Sequence, residues 1–228
     1  MSGIKKTLCF TYWTDPLCIW AYVAQAKLDT LLAESRVSLK VCHRVVPVFN
    51  SIPYRFTSGS WAQGGPAGRA QKTREVAARF DAHDVSGEVW VRDAPATSWA
   101  PAMAIKAAFS CERAGVVNGG SAELYQWRLR QSFFVENRNI ARRRVQMEVA
   151  EACGFPTREL EIRLEDGRAL AELLDDTRDK DAIGVRGSPT YVFDGAREML
   201  YGNVPLSLIQ ATVELLASGG DVPGRSVC

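Results

Sequence analysis

The sequence predicts an α/β fold of βαβ…ββα order, with a large helical insertion between its two halves. Three observations predict it. Strand-like runs occur only towards the two ends, at 4–13, 37–48 and 190–201. The first two are separated by one helix-length stretch, the spacing of parallel strands joined by a crossover helix. Between the second and third, helical periodicity dominates.

The elements follow in order. Residues 4–13 (IKKTLCFTYW) are rich in aromatic and apolar side chains and read as a strand. Residues 18–34 place Val23, Ala24, Leu28, Leu31 and Leu32 at helical spacing. Residues 37–48 (VSLKVCHRVVPV) read as a second strand that Pro47 helps to end. Gly, Ser and Pro crowd residues 51–65, which read as a loop. Helical patterns then cover 66–82, 99–114, 121–134, 142–153, 157–164 and 168–181, with Gly115 and Gly154 as C-terminal signals. Residues 83–98 show no period and read as a loop. Thr190–Phe193 is a strand, Asp194-Gly195 a hairpin turn, and 198–201 the return strand. A helix over 205–217 completes the chain, and the small, polar tail is expected to fray. The implied units are 1–60 with 182–218, an inserted helical domain over 66–181, and a flexible tail at 219–228.

Composition excludes several classes of function. The chain of 228 residues is 46% hydrophobic and 24% charged, with a net charge of +2, ordinary for a globular protein. Neither a nucleic-acid nor a membrane partner is expected. The local basic cluster of Arg138, Arg142, Arg143 and Arg144 alternates with Ile140, Val145 and Val149, the pattern of a solvated helix face. Two histidines and scattered cysteines offer no metal cluster, so no metal is expected. Six cysteines without regular spacing do not read as a disulfide framework. No signal peptide or membrane-length apolar run is apparent, so the expected compartment is the reducing cytoplasm.

Cysteine chemistry then becomes the central question. Cys9 and Cys42 lie in strand-like runs, and Cys111 and Cys153 in helical ones; all four read as small core residues. Cys228 ends the chain and is expected to be exposed. Cys18 differs, because it follows a Thr14-Asp15-Pro16 turn and opens a helix. Unpaired N–H groups and the helix dipole there favour a thiolate, so a lowered pKa and a nucleophilic role are expected. In a C-x-x-C pair the next cysteine would fall three residues on, where this chain has Ala21. A second segment, Gly184-Val185-Arg186-Gly187-Ser188-Pro189-Thr190-Tyr191, puts a proline at the start of a buried-looking strand. Pro189 has no N–H for a ladder, which marks a strand start or a tight turn.

Together these segments resemble the DsbA-type branch of the thioredoxin superfamily. Asp15 to Tyr22 is similar to the D-x-x-C-P-W-C-Y motif of the FrnE-like subgroup, and Gly184 to Phe193 to its G-V-x-G-x-P-T-[FY] motif. Tyr201-Gly202-Asn203 resembles a pattern shared with 2-hydroxychromene-2-carboxylate isomerases and kappa-class glutathione transferases. The resemblance implies a thioredoxin-like fold and a cis Ser188–Pro189 bond facing Cys18. It implies Cys18 as the catalytic nucleophile, with Trp20, Ser188, Pro189 and Asn203 binding the thiol substrate. No tightly bound cofactor is implied; glutathione or another low-molecular-weight thiol is the co-substrate left open, a small thiol or disulfide the partner, and a homodimer is also left open. Three departures narrow the activity. Ala21 removes the dithiol cycle, Ile19 replaces the usual proline, and Val204-Pro205 stands where kappa-class transferases carry Asp-Arg. The first reading is therefore a monothiol thiol–disulfide oxidoreductase. The alternatives are a thiol-dependent isomerase or transferase, and a non-catalytic binding module.

Overall fold

A computed structural model describes residues 7–219. The first strand, β1 (Leu8–Thr14), leads into α1 (Ile19–Glu34) and returns through β2 (Leu39–Val45), which pairs parallel to β1. The chain later re-enters the same sheet as β3 (Thr190–Phe193) and β4 (Glu198–Tyr201), before α10 (Leu206–Ala217). Strand order is β2-β1-β3-β4, with β3 antiparallel to both neighbours. Residues 4–6 of the expected first strand, and the tail beyond 219 with Cys228, lie outside the described residues.

Alternation along the strands divides the sheet into two faces. Phe10 and Tyr12 point to one side, where they meet Phe193 and Tyr191 with ring centroids 5.0 and 4.7 Å apart. Leu28 and Leu31 of α1 and Ile209 and Val213 of α10 close this layer. Trp13 and Val192 take the opposite side, with Val46 and Val185. Cys9 and Cys42 share that second face but are exposed, not core residues. Burial of a strand residue depends on what covers its face, and among the described residues no helix covers this end of the sheet fully.

Between the sheet's two halves lie α2 (Ile52–Thr57), α3 (Gly65–Ala78), α4 (Val89–Arg92), α5 (Trp99–Arg113), α6 (Ser121–Phe134), α7 (Arg143–Ala152), α8 (Thr157–Glu165) and α9 (Arg168–Ile183). Two of these correct the sequence reading. Residues 51–65 are not wholly a loop, because Ser51 caps α2 through Tyr54 N–H and Ile52 is buried. Within 83–98, α4 buries Val89 and Trp90. Both helices are too short for periodicity to register. Gly115 and Gly154 do adopt the left-handed conformation that ends helices, at φ 71° and 77°.

Helix α5 is the hub of the helical block and packs on α6, α8 and α9. A buried polar clamp ties the block to the sheet. Asp176 of α9 is fully buried and accepts from Arg44 Nη1 (2.6 Å), Lys106 Nζ (2.8 Å) and the Val45 backbone N–H (3.0 Å). The first half of α1 is buried on every side, from Ile19 to Ala24 except Trp20, because the sheet lies under it and the helical block over it. This arrangement places the start of α1 at the junction of the two halves.

Candidate active site

The turn into α1 is built by Asp15. Its Oδ1 accepts the Leu17 N–H at 2.7 Å, a local turn bond, while its Oδ2 accepts the distant Val48 N–H at 2.7 Å. The carboxyl is fully buried. Burial pushes its pKa up to about 6, against the pull of Ser98 and of the Leu17 and Val48 N–H groups. Asp15 also sends its own backbone N–H to Ser188 Oγ at 2.8 Å, which fastens the β1–α1 turn to the loop before β3.

Cys18 is the residue before the first turn of α1, and the Ala21 and Tyr22 N–H groups both bond to its carbonyl. Its thiol donates to the Ser188 carbonyl at 3.2 Å. The Ser188–Pro189 peptide bond is cis. Cys18, Ser188 and Pro189, drawn from opposite ends of the chain, therefore meet at one point. Cys18 is only 5% exposed. Burial pushes its thiol pKa up; a hydrogen bond from the Ser188 hydroxyl and the Ala21 and Trp20 N–H groups pull it down, and Asp15 adds a further push upward. The lowered pKa read from helix position alone is thus not found. Desolvation outweighs the helix terminus.

Trp20 and Asn203 lie further out. Trp20, 37% exposed, meets Phe80 edge-on at 6.2 Å. Asn203 is held by α1: its Oδ1 accepts from Lys27 Nζ at 2.6 Å, and Lys27 also bonds the Val204 carbonyl at 2.9 Å. Lys27 sits 5.2 Å from the Phe80 ring centre. Asn203 thus joins a strip with Lys27, Phe80 and Trp20 and makes no hydrogen bond to the thiol among the described residues. Ala21, at the position of a resolving cysteine, is fully buried.

Two arginines that sequence periodicity does not flag complete the surroundings. Arg69 of α3 stacks over Trp61 at 4.4 Å and Trp90 at 5.1 Å, and burial lowers its pKa to about 10. Arg130 of α6 is 1% exposed. Both interact electrostatically with Cys18 and Asp15. The only sequence signal for Arg130 was its place between the apolar residues Leu129 and Phe133–Phe134, which also reads as a surface arginine. Of the other aromatic residues, Trp90 and Tyr22 are buried, and Trp99 bonds Asn50 Oδ1 at 2.8 Å.

Residues 11–214 match the family model of the DSBA-like thioredoxin domain. None of the curated proteins matches the chain. Solved structures extend the likeness over nearly the whole molecule. A candidate protein disulfide isomerase from Nitrosomonas europaea is 14% identical, with 94% of this chain and 100% of that one covered and a TM-score of 0.71. The cytosolic disulfide reductase DsbM from Pseudomonas aeruginosa is 21% identical, with 91% and 100% covered and a TM-score of 0.66. A 2-hydroxychromene-2-carboxylate isomerase is 17% identical, with 93% and 97% covered and a TM-score of 0.60. At these identities the likeness is one of fold.

Proposed function

The chain belongs to the DSBA-like thioredoxin family, and on that premise we propose that it is a thiol–disulfide oxidoreductase that works through the single thiol of Cys18. One observation carries the reading. Cys18 stands alone at the start of α1, with its sulfur 3.2 Å from the carbonyl that precedes the cis-proline and alanine where a resolving cysteine would stand.

The chemistry follows from a lone thiol. The Cys18 thiolate attacks one sulfur of a substrate disulfide. A Cys18–substrate mixed disulfide forms, and the other half leaves as a thiolate that takes a proton from solvent. A second, external thiolate then attacks the substrate sulfur of that mixed disulfide. This releases a new disulfide and returns Cys18 to the thiolate. One thiol enters and one leaves in each cycle, and no internal dithiol is needed. Ser188 Oγ, already anchored by the Asp15 N–H, bonds the thiolate form. Small mixed disulfides of glutathione or another low-molecular-weight thiol suit a nucleophile that is 5% exposed. A reducing compartment such as the cytoplasm would supply the external thiol; the structurally similar disulfide reductase DsbM is cytosolic.

The test is intact mass after incubation with oxidised glutathione. The reading expects an adduct that peptide mapping places on Cys18, that added thiol removes and that Cys18→Ser lacks, whatever the exposed Cys9 and Cys42 take up. An inert Cys18 overturns it. A second reading, a thiol-dependent isomerase or transferase, draws on the same burial, since a closed site favours a small organic substrate over a protein disulfide. Glutathione-dependent turnover of a cis-enone, with no exchange of small disulfides, moves it into first place.

A further inference from the structure

We propose that Tyr201 is a further substrate contact of the thiol site: its exposed ring is a platform for the organic group beside the disulfide that Cys18 attacks, so the site favours disulfides of aromatic thiols over small aliphatic ones. The inference rests on the reading of Cys18 as the working nucleophile and names the substrate class of that same site.

The place of the ring is set by the loop that carries the cis-proline. Tyr201 ends β4 opposite Thr190, the residue after Pro189. The next residue, Gly202, donates its N–H to the Pro189 carbonyl at 2.8 Å. The ring itself lies on Gly187. A Cβ there would stand 3.0 Å from both Cε2 and the hydroxyl oxygen of Tyr201, so glycine is what leaves room for the close approach. Gly187 is buried, although it belongs to a loop. It is bonded to Ser188, whose carbonyl accepts from the Cys18 thiol at 3.2 Å. One Cα step of about 3.8 Å therefore separates the residue under the ring from the residue against the thiol.

The loop does not need the ring to hold it. Thr190 Oγ1 donates to the Gly187 carbonyl at 2.8 Å, and the Asp15 N–H donates to Ser188 Oγ at 2.8 Å. With the Gly202–Pro189 bond, these contacts fix the backbone from three sides. Tyr201 is 60% exposed. Part of the ring is packed on a fixed glycine and the rest is open to water. A tyrosine seated in this way offers a large, flat contact with few side-chain torsions left to freeze.

The substrate supplies the other half of the contact. Cys18 is only 5% exposed, so most of any disulfide it attacks stays outside the thiol's own recess and rests on the residues around it. The carbon attached to the attacked sulfur lies beside Ser188, and the group beyond it passes Gly187 and the ring on it. An aromatic group there packs offset or edge-on against Tyr201 and gains more than its buried area alone gives. A short hydroxyalkyl group has no flat face to offer and makes little of the contact.

The experiment compares two uncharged reagents, dipyridyl disulfide and hydroxyethyl disulfide. With either, Cys18 sulfur bonds one sulfur of the reagent, the reagent's S–S bond breaks, and the other half leaves as a thiolate that takes a proton from solvent. The rate of Cys18 adduct formation is read by peptide mapping of acid-quenched samples, so uptake by other cysteines does not enter. The quantity of interest is the ratio of the two rate constants within one protein, from which a change in the reactivity or exposure of Cys18 itself cancels. Tyr201→Ala should lower the aromatic-to-hydroxyethyl ratio by about three- to tenfold. Tyr201→Phe keeps the ring and should keep the native ratio. At an exposed position neither change should cost the fold. An unchanged ratio in Tyr201→Ala overturns the proposal, as does a phenylalanine variant that loses as much as alanine. In both of those cases Cys18 still forms its adducts and the oxidoreductase reading stands. Absence of a Cys18 adduct with either reagent overturns that reading, and the platform falls with it.

Discussion

Replacing Asp15 by asparagine tests the electrostatics of the site in a way that can be worked out beforehand. The carboxyl is fully buried, and its pKa stands at about 6 against an ordinary value of 3.8. That is about two units, at roughly 1.4 kcal/mol each, or about 3 kcal/mol. The folded value lies above the unfolded one. Between pH 4 and 6 the native state therefore binds more protons than the unfolded chain, and this group makes stability fall as pH rises through that window. An asparagine side chain does not titrate and has no such slope. The stability of Asp15→Asn relative to the native protein should improve by about 2.4 kcal/mol between pH 4 and pH 7, slightly less than the full shift because the unfolded carboxyl is already partly ionised at pH 4. Superimposed is a pH-independent loss. The Leu17 and Val48 N–H groups bond separate carboxyl oxygens, and an asparagine presents an NH2 to one of them. An opposed buried donor costs about 1–3 kcal/mol. The variant should thus be markedly less stable at pH 4 and close to native at pH 7. Urea unfolding of both proteins at the two pH values, at matched ionic strength, gives the difference directly. A difference that stays constant with pH within about 1 kcal/mol would refute the claim that Asp15 ionises at a desolvation cost. Loss of its charge should also lower the Cys18 midpoint, since Asp15 pushes that pKa up.

Other perturbations probe separate parts of the molecule. Asp176→Ala takes the 2.8 Å partner from the buried Lys106 and leaves it only Glu172, at 3.9 Å; a cost of about 3 kcal/mol is expected, and calorimetry should show melting lowered by roughly 10 °C. Ala21→Cys should form an internal disulfide between Cys18 and the introduced cysteine and gain activity in insulin reduction. In the reduced state the added sulfur at a fully buried position should cost about 1–3 kcal/mol; an oxidised variant without a disulfide by mass spectrometry removes the assigned position of Cys18. Gly87→Ala and Gly187→Ala should differ sharply in chemical denaturation. At Gly87, φ is +73° and a new Cβ would lie 2.8 Å from the Ala70 carbonyl oxygen, which is backbone and cannot swing away; more than about 2 kcal/mol should be lost. At Gly187 the obstacle is the ring of the exposed Tyr201, 3.0 Å away, so the loss should stay below about 1 kcal/mol.

Local physics explains what could be read from the chain alone. Residues 121–134 form α6 with the expected ends, and 190–193 and 198–201 form β3 and β4, because period and turn residues are properties of neighbouring positions. The Thr14-Asp15-Pro16 turn and the lone Cys18 were legible for the same reason, and the juxtaposition of Cys18 with Ser188–Pro189 followed from family resemblance. Burial was not legible. Cys9 and Cys42 looked like core residues in their strands, but they face a part of the sheet that no described helix closes. Cys18 carried the signature of an activated thiol, yet the helical block lowered onto α1 desolvates it and reverses the direction of its pKa shift. Arg130 sits two residues from the exposed Arg128 on the same helix and has the same chemistry, yet only Arg130 is buried. Periodicity and turns fix where strands and helices begin, since these depend on residues a few positions apart. Which face is covered, and which charge is stripped of water beside the nucleophile, depends on chain segments more than a hundred residues away, and only their packing decides it.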